Sequence, residues 1–326
     1  MERPCVGECI EPGKVWLDVA GAPIQAHGGG ILYDCGTYYW FGENKDGETK
    51  FVANEVHRVD VVGISCYSSR DLLHWKHEGV VLPANTTDPG HDLHVSKVVE
   101  RPKVIYNAVT RQYVMWLHVD TYKYELAQAG VAVSDAPTGP YRYLGSSRPN
   151  GAESRDMTVF QDDDGSAYLI YSSERHSTLH ISRLTPDYLG QSGQFIRAFV
   201  TRPLNGREAP AVFKHDGCYF MVSSGCTGWD PNPAEYAMAR SMLGDWQVLG
   251  DPCCGPDHET TFHAQSTHVL PVPGRPGCFI FMADRWKQWN LPDSRYLWLP
   301  LEFSPEGKPV LAWRERWSLA TAGAKE

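Results

Sequence analysis

Three acids, one amide, two guanidinium groups and a histidine stand at comparable places along this chain. Glu100, Asp156 and Glu208 are the acids, Gln265 is the amide, Arg101 and Arg155 are the cations, and His27 opens the series. Gathered in one small mouth, these groups would shift each other's ionisation. One acid can then be held neutral while another stays charged, which is the division that cleavage of a glycosidic bond needs. Glu208 is the candidate general acid. Asp156 is the candidate for holding that acid's proton and orientation, and Arg101 and Arg155 would keep the remaining carboxylates ionised. Simpler arrangements stay open at this point. Asp156 could cap a turn or pair with Arg155, Glu100 and Arg101 could form one structural ion pair, and His27 could be an axial hydrogen-bonder or a turn histidine. Gln265, a weak base, is the least diagnostic.

A repeat ties these residues together. Each stands just before a short apolar run, then a tight turn, then a second run: Glu208 to Phe213, the turn at Lys214 to Gly217, and Cys218 to Gly225 are one copy. Aligned on Ile31, Val104, Val159, Val212 and Val269, the copies lie 73, 55, 53 and 57 residues apart, and the residues four positions earlier are His27, Glu100, Arg155, Glu208 and Gln265. Long helical periodicity is almost absent, while apolar runs of strand length recur between Asp-Gly, Asn and Pro turns. Each unit continues into further strand-like segments, giving three or four antiparallel strands with an outer strand ending in an aromatic. The expected fold is all-β: residues 1–326 as a single five-bladed β-propeller with its active site at the central axis. First strands of propeller blades lie nearest the axis, so the polar residues that open them converge on one funnel-shaped pocket.

Composition bounds the partners. The 326 residues are 42% apolar and carry a net charge of -9, which argues against binding a phosphate backbone and suits a neutral ligand. Neither an apolar run long enough to span a bilayer nor an apolar signal core stands out, so the chain is expected either to be cytosolic or to lack its targeting segment. Nine cysteines leave at least one unpaired, and most read as small buried residues. Eleven Trp and sixteen Tyr serve β-packing, sugar stacking or both. Aromatic and polar residues follow each second strand and would form a rim: Trp40 to Glu43, His118 to Asp120, Ser172 to Glu174, Gly225 to Trp229 and Ala283 to Trp286.

Several ordered motifs carry a resemblance. Ala26-His27-Gly28-Gly29-Gly30-Ile31, Glu100-Arg101-Pro102-Lys103-Val104, Ser154-Arg155-Asp156-Met157-Thr158, Glu208-Ala209-Pro210-Ala211, Ser224 to Trp229, Gln265-Ser266-Thr267 and Phe281 to Trp286, with Asp293 to Tyr296, resemble glycoside hydrolase family 43. The likeness covers about residues 24–302 and is nearest to the exo-β-1,3-galactanase branch, plant-type members above all. It implies an inverting enzyme that removes galactose from the non-reducing end of β-1,3-galactan, the backbone of arabinogalactan-protein glycans. Glu208 matches the general acid and Asp156 the residue that tunes it. The first-blade position where most of the family has an aspartate base lies in Ala26 to Gly30, which has no carboxylate. Gln265 matches the glutamine that orients water in this branch, with His263 as a departure nearby. Glu100 matches a substrate-holding carboxylate. Substrate contacts are expected from Glu43, Glu100, Arg101, Arg155, Glu174, Thr227, Trp229 and Arg285. No organic cofactor is expected, and the channel is compatible with a single structural Ca2+. The chain is expected to be a monomer without membrane contact. The Asn85-Thr86-Thr87 sequon and the plant-type likeness imply the secretory pathway, Golgi lumen or secreted, with the targeting segment absent from this chain. Two alternatives are an α-L-arabinofuranosidase or β-xylosidase of the same fold, and a non-catalytic arabinogalactan-binding propeller.

Overall fold

The computed structural model describes residues 9–52, 56–200 and 206–320; Cys5 lies outside them. Five blade sheets follow one another along the chain, and a two-stranded hairpin, Lys50–Val52 with Val56–Arg58, is inserted in the first blade. The first holds His27–Asp34, Thr37–Glu43, Gly63–Ser69 and Lys76–Pro83, and the next three repeat its four-strand meander. The fifth starts at Gln265–Pro271 and carries a fifth strand, Cys253–Cys254, which runs parallel to Pro309–Ala312 at its edge. Among the described residues the helical pieces are three 3-10 turns of three residues each.

Every interface between neighbouring blades has its own apolar cluster, so five clusters close the ring. Strand pleating explains how. Trp40 and Phe41 are consecutive, so they point to opposite faces: Trp40 packs on Tyr296 and Trp298 of the last blade, and Phe41 on the second blade. Both faces of each inner strand are covered, which is why the sequence shows near-continuous apolar runs instead of alternation. Four tryptophans (Trp40, Trp75, Trp116 and Trp298) are among the largest fully buried side chains. Trp40 and Phe41, expected at the rim, therefore belong to the blade interfaces. Trp75, Tyr141 and Trp246 sit in the turns ahead of the outer strands and do not end them. The hairpin turns are built as the sequence suggests: Cys35-Gly36 and Asp216-Gly217 both take positive φ, the geometry that matches strand twist.

In four of the five blades a β-bulge lies at the polar residue expected to open the first strand; in the third, Arg155 and Asp156 lie ahead of the strand Met157–Gln161, which pairs without a bulge. Register shifts fall between His27 and Gly30, Glu100 and Lys103, Glu208 and Ala211, and Ser266 and His268. Gly28, Arg101 and Ala209, each one residue past the strand-opening polar residue, have φ of 59, 57 and 52°. A bulge re-aims the side chain beside it, and here it turns Glu100 and Glu208 toward the axis.

The eight described cysteines are all free, and Cys66 and Cys253 alone among them are buried. The expectation that most cysteines are buried is corrected: Cys35 and Cys254 are exposed and the other four half-buried, because they fall at turns and strand ends and not within the clusters.

Candidate active site

The convergence is a cavity of about 370 Å³ at the axis, walled by residues from all five blades. Glu43, Glu100, Arg101, Arg155, Asp156, Glu208, Trp229 and Gln265 line it, as the sequence predicts. Lys45, His118, Tyr124, His176, Gly228 and Trp286 complete the wall.

Arg101 is the hub. Its side chain is buried, and its guanidinium reaches three groups from other blades: Asp156 Oδ2 at 2.8 Å, Gln265 Oε1 at 2.5 Å and the Ser266 carbonyl at 2.9 Å. Its backbone N–H donates to Glu43 Oε1 at 3.0 Å. Arg101 is thus not paired with its neighbour Glu100; the bulge sends the two side chains to different partners.

Glu208 sits against this hub. Its Oε1 accepts from Gln265 Nε2 at 2.8 Å, its Oε2 lies 3.4 Å from His176 Nδ1, and the Cys226 thiol also reaches the carboxyl. Burial and then the Asp156 charge push Glu208 up to about 8, against the pull of Arg101. His176 is pushed down to about 4, chiefly by burial, so it faces Glu208 as a neutral imidazole.

Glu100 is the opposite case. Burial opposes its charge, but His118, Lys45 and Tyr124 outweigh it and hold the carboxyl down to about 2. His118 Nδ1 is 3.2 Å from Glu100, its Nε2 is 3.1 Å from Asp120, and Tyr124 donates its hydroxyl to Glu100 at 3.0 Å. Burial also opposes the His118 charge, yet the two carboxylates raise it to about 9. One acid is held neutral and one ionised in a single cavity, as the chemistry inferred from the sequence requires.

Gln265 has all four positions of its amide engaged. Oε1 accepts from Arg101 and, at 3.2 Å, from Trp286 Nε1; Nε2 donates to Glu208 and, at 3.1 Å, to Ser224. Gln265 can hold a water molecule only by giving up one of these bonds.

Other expectations are corrected. Arg155 lines the cavity, but its ion pair is with Glu153 at 2.6 Å and its second bond goes to the Tyr124 carbonyl, so it does not hold Asp156 or the other hub acids. Glu174 lies outside the cavity wall, clamped by Arg197 at 2.6 and 2.7 Å and by His180 at 3.2 Å, because its loop turns at positive φ. Thr227 shapes its own loop through Asp230 and Asn232 instead of facing the cavity. Arg285 points away as well, donating to the Phe262 carbonyl at 2.8 Å and lying over the Trp313 ring. Arg285 is the last residue of its strand, whereas Trp286 lies just past it in the loop that turns toward the cavity.

His27 is fully buried and absent from the wall; Nδ1 meets Asp284 at 3.2 Å and the ring stacks on Tyr296. A side chain on Gly28 would collide with Glu43 Oε1, at 2.1 Å from a built Cβ. The first-blade position without a carboxylate is therefore filled from the second strand, by Glu43.

Lys45, Tyr124 and His176 escape sequence reading because loops supply them. Lys45 left one signal: it stands two residues after Glu43 and pairs with it at 2.7 Å.

Among the described residues, two groups bring metal-ligating atoms within 4.8 Å of one another: His176, Glu208 and Cys226, and Glu100, His118 and Asp156. Both are made of the acid and base machinery itself. Deeper in the channel, the buried Lys103 donates to the Gly28 carbonyl at 2.8 Å and the Arg101 carbonyl at 3.4 Å. Burial and Arg101 push its amine down to about 7, and it donates in either state. Those carbonyls are taken, so this stretch does not fit the six to eight oxygens that Ca2+ requires.

Comparison with known proteins agrees with this geometry. The family model described as glycosyl hydrolases family 43 matches residues 28–259. The chain belongs to that family. A solved family 43 β-1,3-galactosidase with galactodeoxynojirimycin is 44% identical, with a TM-score of 0.88 over 95% of this chain and 100% of that one. The exo-β-1,3-galactanase of Phanerochaete chrysosporium, solved with galactose, is 39% identical, with a TM-score of 0.84 over 95% of this chain and 68% of that one. The enzyme of the same description from Clostridium thermocellum is 36% identical, with a TM-score of 0.82 over 94% of this chain and 66% of that one. A curated β-D-galactofuranosidase of Aspergillus niger is 33% identical over 124 residues; the match spans 35% of each chain. As in the solved family 43 structures, the fold is a five-bladed propeller.

Proposed function

We propose that the protein is an exo-acting, inverting β-1,3-galactosidase that releases galactose from the non-reducing end of β-1,3-galactan. The observation that carries the chemistry is Glu208, kept protonated by burial and Asp156 while Glu100 stays ionised across the same cavity. The likeness to β-1,3-galactan-cleaving relatives supports the sugar and linkage, and a variant of the Phanerochaete galactanase carries β-1,3-galactotriose.

Glu208 donates its proton to the leaving glycosidic oxygen. Asp156, fixed by Arg101, keeps that proton on Glu208 until the oxygen takes it. Water attacks the anomeric carbon from the other face of the ring, and a base must accept its proton. Glu100 is the ionised carboxylate with lone pairs to spare, and Gln265 bridges acid and hub. Trp229 and Trp286, with ring centroids 6.0 Å apart, give the apolar face of a pyranose something to lie on. No organic cofactor enters these steps. The sequon at Asn85, half-buried at a bridge to His94 with Thr86 and Thr87 exposed beside it, supports residence in the secretory pathway, Golgi lumen or secreted, and the motif likeness supports kinship with plant-type enzymes. A monomer is the simplest assembly for a site complete within one chain.

Incubation with β-1,3-galactobiose tests the reading. The expected result is galactose with the α-anomer first in NMR, released far more slowly by Glu208→Gln. Release of arabinose or xylose from aryl glycosides with no action on galactobiose would favour a different bond. Galacto-oligosaccharide binding without cleavage would make the propeller a lectin.

A further inference from the structure

The loop after the second strand of the last blade carries two tryptophans three residues apart. Trp286 turns inward, to Gln265 and Trp229. Trp289 turns outward and is 73% exposed. Three residues span at most roughly 10 Å, so Trp289 stands close outside the catalytic cavity. Facing it is the hairpin of Lys50–Val52 and Val56–Arg58 from the first blade, with Phe51 62% exposed. The buried His57 ring fills the corner, 4.1 Å from the Trp289 ring and 5.4 Å from Phe51. The two elements are tied: Leu291 N–H donates to Thr49 Oγ1 at 2.8 Å.

His57 is 5% exposed, yet neither of its ring nitrogens has a hydrogen-bond partner among the described residues. An unmet buried polar atom is destabilising until a partner arrives. His57 also walls a side cavity whose other walls include Glu43, Lys45, Glu100 and Trp229, all shared with the catalytic cavity. The corner thus combines an exposed indole, a second exposed ring, a buried imidazole whose nitrogens have no partner among the described residues, and continuity with the catalytic cavity. Flat apolar faces edged by hydrogen-bonding groups match the two sides of a pyranose.

We propose that Trp289, Phe51 and His57 form an outer carbohydrate subsite that holds a neutral galactosyl unit beyond the bond being cut. This rests on the galactosidase reading of the cavity. The unit belongs either to the continuing main chain or to a side branch.

The test compares Trp289→Ala and Trp289→Phe with the parent protein on linear β-1,3-galacto-oligosaccharides of increasing length and on a β-1,6-branched galactan. The expected loss in kcat/KM for Trp289→Ala grows with chain length. It is carried by KM, reaches roughly three- to tenfold more on the longest chain than on the disaccharide, and is smaller for Trp289→Phe. A loss confined to branched substrate assigns the subsite to the branch. Equal losses on every substrate, or none, overturn the proposal. Tryptophan fluorescence gives a readout free of turnover: galactohexaose titrated into Glu208→Gln should bind several-fold more tightly than into the Glu208→Gln/Trp289→Ala double variant, and equal affinities also overturn it. If the parent releases no galactose from any of these sugars, it is the galactosidase reading that fails.

Discussion

Arg101 and Asp156 come from neighbouring blades, and guanidinium Nη2 lies 2.8 Å from Asp156 Oδ2 while also touching Gln265. This bond joins the second, third and last blades at the axis. Breaking a buried pair by removing one partner leaves a charge without compensation and costs about 3–5 kcal/mol. Arg101→Met is expected to lower unfolding stability in urea by about that amount and to lose activity. Arg101→Lys keeps the charge but not the fork, so it should fold and still turn over slowly. A Met variant as stable as the parent would mean that the hub is not held by Arg101.

Glu208→Gln removes the proton donor and little else in shape. General acid catalysis contributes typically 10²–10⁴-fold, so kcat on β-1,3-galactobiose should fall by about that factor while KM changes little. An aryl galactoside with a good leaving group needs less protonation and should lose less. Equal losses on both substrates would show that Glu208 serves binding and not proton transfer.

The sequence carried the parts of this site that repeat. The offset of Glu100, Glu208 and Gln265 from their apolar runs is a register property, and register follows from the blade, so their convergence on one mouth is legible in the sequence. Arg101 was harder. Its role depends on positive φ at a non-glycine residue, and nothing in the letters Glu-Arg-Pro-Lys distinguishes a bulge from a regular strand. Glu174 misled because a residue just past a strand can face either way, and Arg285 because it ends its strand on the side away from the cavity. Lys45, Tyr124 and His176 lie on loops, where no period says which residue turns inward. Trp40 shows the converse: an aromatic near the predicted rim was one of the residues that close the ring.

Asp156 tunes the pH range. Burial raises Glu208 most, the Asp156 charge adds to it, and Arg101 opposes both. The acid is active when protonated, so activity should hold below about 8 and fall as pH rises through it. Glu100, held near 2, stays ionised throughout that range. Asp156→Asn removes the raising charge and frees Arg101 to act on Glu208, and both effects lower the acid. The basic limb of kcat should move down by about one pH unit or more. Lys103 titrates in the same region, but it donates to the same carbonyls in either state, so the limb that moves with Asp156 is that of Glu208. A limb that stays in place would remove Asp156 from the tuning role.

Lys103 bears on the channel. Its amine takes the carbonyls of Gly28 and Arg101, which a structural Ca2+ would otherwise claim. Dialysis against a strong chelator is expected to leave activity and the thermal midpoint unchanged. A fall of several degrees that added Ca2+ restores would place a cation in the channel.

The water-activating group is the remaining question, and two residues compete for it. Gln265 has its amide saturated and bonded straight to the acid, and an amide is a weak base. Glu100 is ionised, oriented by His118 and Tyr124, and among the described residues accepts those two side-chain bonds out of about four sites. If Glu100 takes the proton from water, Glu100→Gln should lose on the order of 10²–10⁴-fold in kcat. Added azide, a nucleophile that needs no base, should restore turnover and yield the α-galactosyl azide. Gln265→Ala would then act through Glu208: the hydrogen bond that lowers the acid is gone, so the basic limb moves up, kcat falls less, and azide does nothing. If Gln265 is instead the base, the two variants exchange behaviours, with azide rescuing Gln265→Ala and Glu100→Gln raising KM. Running both variants with and without azide across the pH range separates the two, because a group that positions the acid moves a limb, whereas a group that activates water can be bypassed.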